Sequence, residues 1–180
     1  MNKASKHIVL GVTASIAIYK ACELTRKLKG EGFSVNVVMT KEAQNLIQPV
    51  LFQGLSGNKV YRDLFDEPQD WEIEHVSLAE SADLVLIAPA TANILGKLAC
   101  GICDDLLSCV CCATRAPVLI CPAMNENMYR NKIVQGNIDK LKSFGYKFVE
   151  PVKGRLACGK IGTGCLAGAE EIIKEVKKIL

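Results

Sequence analysis

The stretch that most constrains the fold is the first forty residues. Ile8–Val12 is a short β-rich apolar run that passes through Gly11-Val12-Thr13-Ala14-Ser15 into a helical pattern. Ala17, Ala21, Leu24 and Leu28 then share one helix face, and Gly30 and Gly32 end it. Val35–Met39 is a second β-rich run. Two strands joined through a helix cannot form a hairpin, so this βαβ unit predicts a parallel sheet. Such sheets are covered on both faces by helices, which commits the chain to an α/β architecture.

The rest of the chain repeats the alternation. Thr40 is placed to cap a helix beginning at Lys41-Glu42-Ala43, and Pro49–Gln69 reads as short helical pieces and a loop running to Glu72. Asp83–Ile87 is a third strand, closed by Pro89; Thr91–Ala99 and Asp104–Ala113 are helical, separated by Gly101. Val118–Cys121 is a strand that Pro122 stops, having no N–H to give. A helix follows over roughly Lys132–Phe144, then a last strand Tyr146–Glu150 and a closing helix Ala169–Leu180 with Ile172, Ile173, Val176 and Ile179 facing in. Gly154–Gly168, with further glycines at 159, 162 and 164, is too loose for an element and reads as a mobile flap over about 153–168.

At 180 residues the chain is read as one domain, 1–180, long enough to bury a full core. Apolar residues at 49% and charged residues at 23% exclude a disordered chain. A scattered net charge of +3 and 6% aromatics argue against a nucleic-acid surface, while suiting a small anionic ligand. Lys3, Lys6 and His7 before Ile8–Tyr19 resemble a signal peptide, but Gly11, Thr13 and Ser15 interrupt the apolar stretch, and strand–turn–helix explains it better. No run reaches the roughly 18 apolar residues a membrane span needs. Of nine cysteines, Cys100 and Cys103 have C-x-x-C spacing. A second such pair is missing, and most of the thiols sit in an apolar helical segment, so packing is favoured over a metal and no metal site is expected. An odd number of thiols in apolar places fits a reducing cytoplasm.

Chemistry concentrates in four places. The amide-rich turn Pro122–Met128, PAMNENM, lies at the carboxyl end of a strand, where open α/β sheets bind ligands. Asn125 and Asn127 there either hold a carboxylate or flat heterocycle or cap a helix for local reasons. The first βα turn lacks both G-x-G-x-x-G and a P-loop Lys, and strand two ends in Met39-Thr40 with no acid for a ribose hydroxyl. A dinucleotide is therefore disfavoured. A single phosphate on Thr13, Ser15 and helix N–H groups fits, the alternative being a plain helix cap. His75 is the general base available near neutral pH, or a structural histidine. Cys158, between Arg155 and Lys160 in the glycine-rich segment, is accessible and near cations that favour thiolate.

Taken in order, GVTASIAIYK, MTKEA, EHVSL, APATANILGKLACGICDDLLS, PAMNENM and ACGKIGTG closely resemble the flavoprotein cysteine decarboxylases, over about residues 6–165. The resemblance implies a Rossmann/flavodoxin-like open parallel sheet in three layers. It implies an FMN-dependent cytoplasmic enzyme of coenzyme A biosynthesis that converts 4′-phospho-N-pantothenoylcysteine to 4′-phosphopantetheine and CO₂. Carried over by position, Gly11, Thr13, Ser15 and Thr40 lie about the FMN phosphate, and Ala88, Pro89, Ala90 and Thr91 lie beside the flavin. His75 is the active-site base, Asn125 grips the substrate carboxylate, and Cys158 is the proton donor. Met124, Ala157 and Gly159 join Asn125 around the substrate. Also implied are a homotrimer, or four trimers together, and a separate or fused phosphopantothenate–cysteine ligase. Two departures stand out: Cys165 replaces the usual Arg after Gly164, and Tyr129 replaces Trp.

The resemblance accounts for these residue types. A cysteine carboxylate has no electron sink, whereas a thioaldehyde β to it accepts the electrons released with CO₂. Return of the hydride together with one further proton saturates the enethiolate, so no nicotinamide is required. A peptidyl-cysteine decarboxylase that stops at the enethiol, or a non-catalytic flavin-binding relative, is the alternative. The latter is expected to lack His75, Asn125 or Cys158, and all three are present.

Overall fold

The computed structural model describes residues 5–64 and 73–180. Strand β1 (His7–Val12) leads into helix α1 (Ile18–Gly30) and returns parallel to it as β2 (Ser34–Met39). Helix α2 (Pro49–Ser56) and the two-residue strand β3 (Val60–Tyr61) follow, then α3 (Glu74–Ser81) and β4 (Leu84–Ala90). Helices α4 (Ala92–Cys100) and α5 (Leu106–Ala113) connect to β5 (Val118–Pro122). The short α6 (Glu126–Tyr129), α7 (Lys132–Ser143) and β6 (Lys147–Phe148) complete the sheet. Last come strands β7 (Val152–Arg155) and β8 (Ile161–Cys165) and helix α8 (Ala169–Ile179).

Among the described residues the sheet has six parallel strands in the order β3-β2-β1-β4-β5-β6. This is the doubly wound order, whose direction of winding reverses between β1 and β4. Alternation along β1 explains the three layers. Ile8, Leu10 and Val12 pack with Ala21, Leu24, Phe52 and Ile172 of α1, α2 and α8, whereas Val9 joins Leu78, Ile94, Leu107 and Ile138 of α3, α4, α5 and α7. Burying each large aliphatic side chain contributes about 1.5–3 kcal/mol. Gly11 falls on the second face, where a Cβ would lie 2.5 Å from Leu107 Cδ1, so its missing side chain is what lets α5 close on the sheet.

Several sequence expectations change here. Thr40 starts only a 3₁₀ turn, Ala43–Asn45, because Pro49 opens α2 and holds Gln48 extended. Strand β3 within the predicted irregular stretch was not foreseen, and the part of that loop over 65–72 lies outside the described residues. Pro89 lies inside its strand, whereas Pro122 is the last residue of β5 and not the first beyond it. The β4–β5 register shifts between Ile87 and Ala90, skipping the Pro89 position that has no N–H, and Ala90 then pairs with Pro122. Strand β6 covers only Lys147–Phe148. The glycine-rich segment, read as too loose for an element, holds the antiparallel hairpin β7–β8.

Candidate functional site

The reversal point of the sheet is closed by one threonine. Thr13, 2% exposed, donates its hydroxyl to Pro89 O at 2.8 Å and accepts from the Thr91 backbone N–H at 3.1 Å. This joins the carboxyl ends of β1 and β4. Beside it lies a cavity of about 380 Å³, lined by Thr13, Ala14, Thr40, Thr91, Asn93 and Met128 among others. Small-molecule sites fall in the range of about 300–1,000 Å³. The first turn of α4 faces this space. Thr91 caps it through Ile94 N, while the other first-turn N–H groups, on Ala92 and Asn93, have no partner within the helix. That positive helix end suits a phosphate.

Thr13, Thr40 and Thr91, expected at a cofactor, do line one cavity. Ser15 sits further along the turn, accepting the Ala17 N–H at 3.3 Å. Gly11, Ala88 and Ala90 stand behind the wall as strand residues, and Pro89 contributes its carbonyl to Thr13. Sequence reading missed Asn93, Glu42, Asp105 and Met128. Asp105 was findable, because Asp-x-x-Ser before an apolar run is a capping signal: Asp105 and Ser108 cap α5 reciprocally. Its carboxylate also pairs with Lys97 at 2.7 Å. Burial pushes the Asp105 carboxyl up, but Lys97 and the two Ser108 bonds outweigh this and hold it below the usual carboxylate range.

The second part of the site forms where the hairpin meets the strand-to-helix turn after β5. Asn125 is the N-cap of α6, and its Oδ1 accepts the Asn127 N–H at 2.8 Å. Both readings of this residue therefore hold together, since the cap uses the oxygen and leaves the amide NH₂ turned outward. That NH₂ contacts Cys158 Sγ at 3.9 Å. Cys158 lies with Ala157 and Gly159 in the exposed tip of the hairpin, which Leu156 N closes onto Lys160 O at 2.8 Å. Gly159 has φ +84°, a conformation that favours glycine. Met124 donates its N–H to Gly164 O at 3.0 Å. Gly154 pairs with Gly162, whose missing side chain makes room for Glu126.

His75, the second residue of α3, is half-buried and is not among the residues lining the cavity beside Thr13. Of the remaining thiols, Cys111 and Cys121 are fully buried and pushed up by burial. Cys103 is pushed up to about 11, by burial and then by the neighbouring Cys112 thiol. No group of three His, Cys, Asp or Glu among the described residues suits a metal ion. In a wider groove of about 760 Å³ between α1 and α8 both carboxylates are already paired, Glu170 with Lys27 and Glu31 with Lys177.

Residues 1–180 match the Flavoprotein family. The chain is 47% identical to the coenzyme A biosynthesis bifunctional protein CoaBC of Bacillus subtilis over 97% of its own length, but spans only 43% of that protein. It is 44% identical to the probable phosphopantothenoylcysteine decarboxylase of Streptococcus mutans over 98% of this chain and 99% of the relative. A solved cysteine-to-serine mutant of PPC decarboxylase, complexed with pantothenoylaminoethenethiol, is similar with a TM-score of 0.85 and 28% identity, covering 97% of both chains. The FMN-dependent cysteine decarboxylase SpaF is similar with a TM-score of 0.84 and 32% identity, covering 96% of this chain and 95% of that one.

Proposed function

The chain belongs to the flavoprotein family, and from that premise we propose that it is a carboxy-lyase, decarboxylating 4′-phospho-N-pantothenoylcysteine to 4′-phosphopantetheine with FMN as cofactor. The observation that carries this reading is the meeting of Asn125 Nδ2 and Cys158 Sγ at 3.9 Å from segments 33 residues apart. The phosphate of FMN fits the α4 helix end with the hydroxyl of Thr40, and the flavin fits the cavity wall at Thr13, Thr91 and Met128, with Ala88 and Ala90 behind it. FMN, when bound, supplies reversible two-electron oxidation at the carbon bearing sulfur, and so the electron sink that a cysteine carboxylate lacks.

The chain's own residues then divide the work. The Asn125 NH₂, free of the capping bond, donates to the substrate carboxylate and holds the breaking C–C bond in place. Cys158 Sγ–H protonates the enethiolate carbon after CO₂ has left. His75, a half-buried imidazole, acts as the base. The cysteine-to-serine relative held with an enethiol supports giving the donor role to a cysteine, and Cys158 is the thiol in contact with Asn125.

The reading extends to a single decarboxylase domain in the cytoplasm, fed by a phosphopantothenate–cysteine ligase that is separate or fused, as the bifunctional relatives encourage. It also extends to a homotrimer or four trimers together. Ile16, Tyr19 and Val50, 62%, 63% and 71% exposed near the starts of α1 and α2, offer apolar surface for a second copy. A clean monomer in light scattering with full activity overturns that assembly. The central test is the purified protein itself. Mass spectrometry should find FMN released by heat, and the phosphorylated pantothenoyl substrate should release CO₂. Asn125→Asp sets a like charge against the carboxylate and should abolish CO₂ release while FMN stays bound. FAD, NAD or no cofactor would sink the reading, and turnover of cysteine peptides alone would favour the peptidyl-cysteine alternative.

A further inference from the structure

The hairpin β7–β8 carries Cys158, yet its tip is exposed and joins the parallel sheet through no strand pairing. What aligns it with Asn125 is a short row of contacts along Met124–Glu126. On one side of Asn125, Met124 N donates to Gly164 O at 3.0 Å. On the other, the Thr163 backbone N–H donates to Glu126 Oε1 at 3.2 Å, and Arg130 holds the same oxygen at 2.9 Å from one helical turn on. Both glycines of Gly162-x-Gly164 are explained by this closeness. A Cβ at Gly162 would fall 2.4 Å from Glu126 Oε2, and one at Gly164 would fall 2.1 Å from Met124 O.

We propose that Glu126 is a positioning residue, which clamps β8 by its Thr163 N–H and so sets where Cys158 stands relative to Asn125. The carboxylate reaches across from the residue that directly follows Asn125, so a change in how α6 sits moves the amide and the hairpin together. Arg130 orients the carboxylate and does not itself touch the hairpin contact. A neutral amide at this position still presents a carbonyl oxygen to Thr163, which separates the clamp from the ion pair.

The test has a structural arm and a product arm, and only the product arm rests on the proposed decarboxylation. In Glu126→Ala, hydrogen exchange at Thr163 N–H and alkylation of Cys158 by iodoacetamide should each rise by roughly tenfold, the scale of a lost hydrogen bond to a charged acceptor. Among turnovers that release CO₂, the share leaving as enethiol should rise, and Glu126→Gln should restore most of the wild-type values. Gly162→Ala should mimic Glu126→Ala by displacing the carboxylate, and add nothing in the double variant. Unchanged exchange and alkylation in Glu126→Ala, or a Gln variant as loose as the Ala variant, would overturn the clamp. Should Glu126→Ala not fold, wild-type exchange and alkylation in Gly162→Ala would overturn it instead. Wild type that binds FMN but releases no CO₂ from the pantothenoyl substrate would overturn the functional reading and leave the structural arm to decide the clamp.

Discussion

The two halves of the site are built by different means. At the cavity, Thr13 is buried at 2% exposure with both hydroxyl bonds made inside the sheet, between strands whose Ile87, Ala88 and Ala90 have no solvent contact. At the hairpin, Asn125 and Cys158 are exposed, and β8 rests on a backbone bond from Met124 and a carboxylate from Glu126. The first half is fixed by the core and cannot shift without disturbing it. The second half hangs on a few separable bonds, the arrangement from which elements that open and close over ligands are drawn. Changes in the cavity should therefore register first as lost stability and changes in the hairpin first as altered chemistry.

The sharpest break of that contrast is Gly11→Asp. The new side chain would be driven into Leu107 and carry an unpaired charge into the core, costing more than about 3 kcal/mol. Circular dichroism should show little folded protein. A folded but colourless variant would instead place Gly11 against the phosphate, as the resemblance implies. Thr13→Val keeps the shape but leaves the Thr91 N–H without its acceptor, at about 1–3 kcal/mol. Its melting temperature should fall by roughly 5 °C, with flavin bound less tightly. A variant as stable as wild type would show that the reversal point is not held by this threonine.

How far the sequence could be read follows the same division. The apolar alternation of β1, the glycine ends and the amphipathic α8 are local signals, and they yield the three layers directly. The hairpin has no such signal. Gly154, Gly162 and Gly164 are poor strand formers, present for close approach to Cys165, Glu126 and Met124, which only the folded chain brings near. Gly11 was legible as a turn glycine but lies in a strand, and its partner Leu107 is far along the chain. Asn125 and Cys158 were found because their motifs carry a family resemblance. Glu126 stood inside the same motif unread, since its role exists only once β8 is docked.

A smaller effect concerns the root of the hairpin. The Tyr129 hydroxyl donates to Glu150 Oε2 at 2.5 Å, and Lys142 pairs with the other oxygen at 2.6 Å, just before β7 begins. Burial pushes the Glu150 carboxyl up, yet Lys142 and Tyr129 win and hold it below the usual range. The Tyr129 phenol is pushed up to about 12, by burial first and then by the Glu150 carboxylate. A raised folded-state value means the contribution is complete below the ordinary value of 10.0 and is lost as pH rises through about 12. Because the ring is only partly buried, solvent screening should keep the loss under about 1 kcal/mol. Denaturant titrations across that window should show it in wild type and not in Tyr129→Phe. An equal loss in both would assign it elsewhere.

Cys158→Ser should barely move stability, within about 0.5 kcal/mol for an exposed position, and this is where the contrast becomes most informative. Asn125 acts before CO₂ leaves, because it holds the carboxylate. Cys158 acts after, because the carbon that takes its proton is basic only in the enethiolate. A thiol is a competent proton donor to a carbanionic carbon, and an alcohol is a far weaker acid. The variant should therefore bind FMN, release CO₂ and accumulate an oxidised enethiol, leaving reduced flavin for oxygen to reoxidise. Phosphopantetheine formed at the wild-type rate would remove the proton from Cys158. Absence of CO₂ would move the hairpin's work ahead of bond cleavage, to binding or closure. It would then act, like the cavity, on the first half of the reaction, and the division between a fixed half and a chemical half would fail.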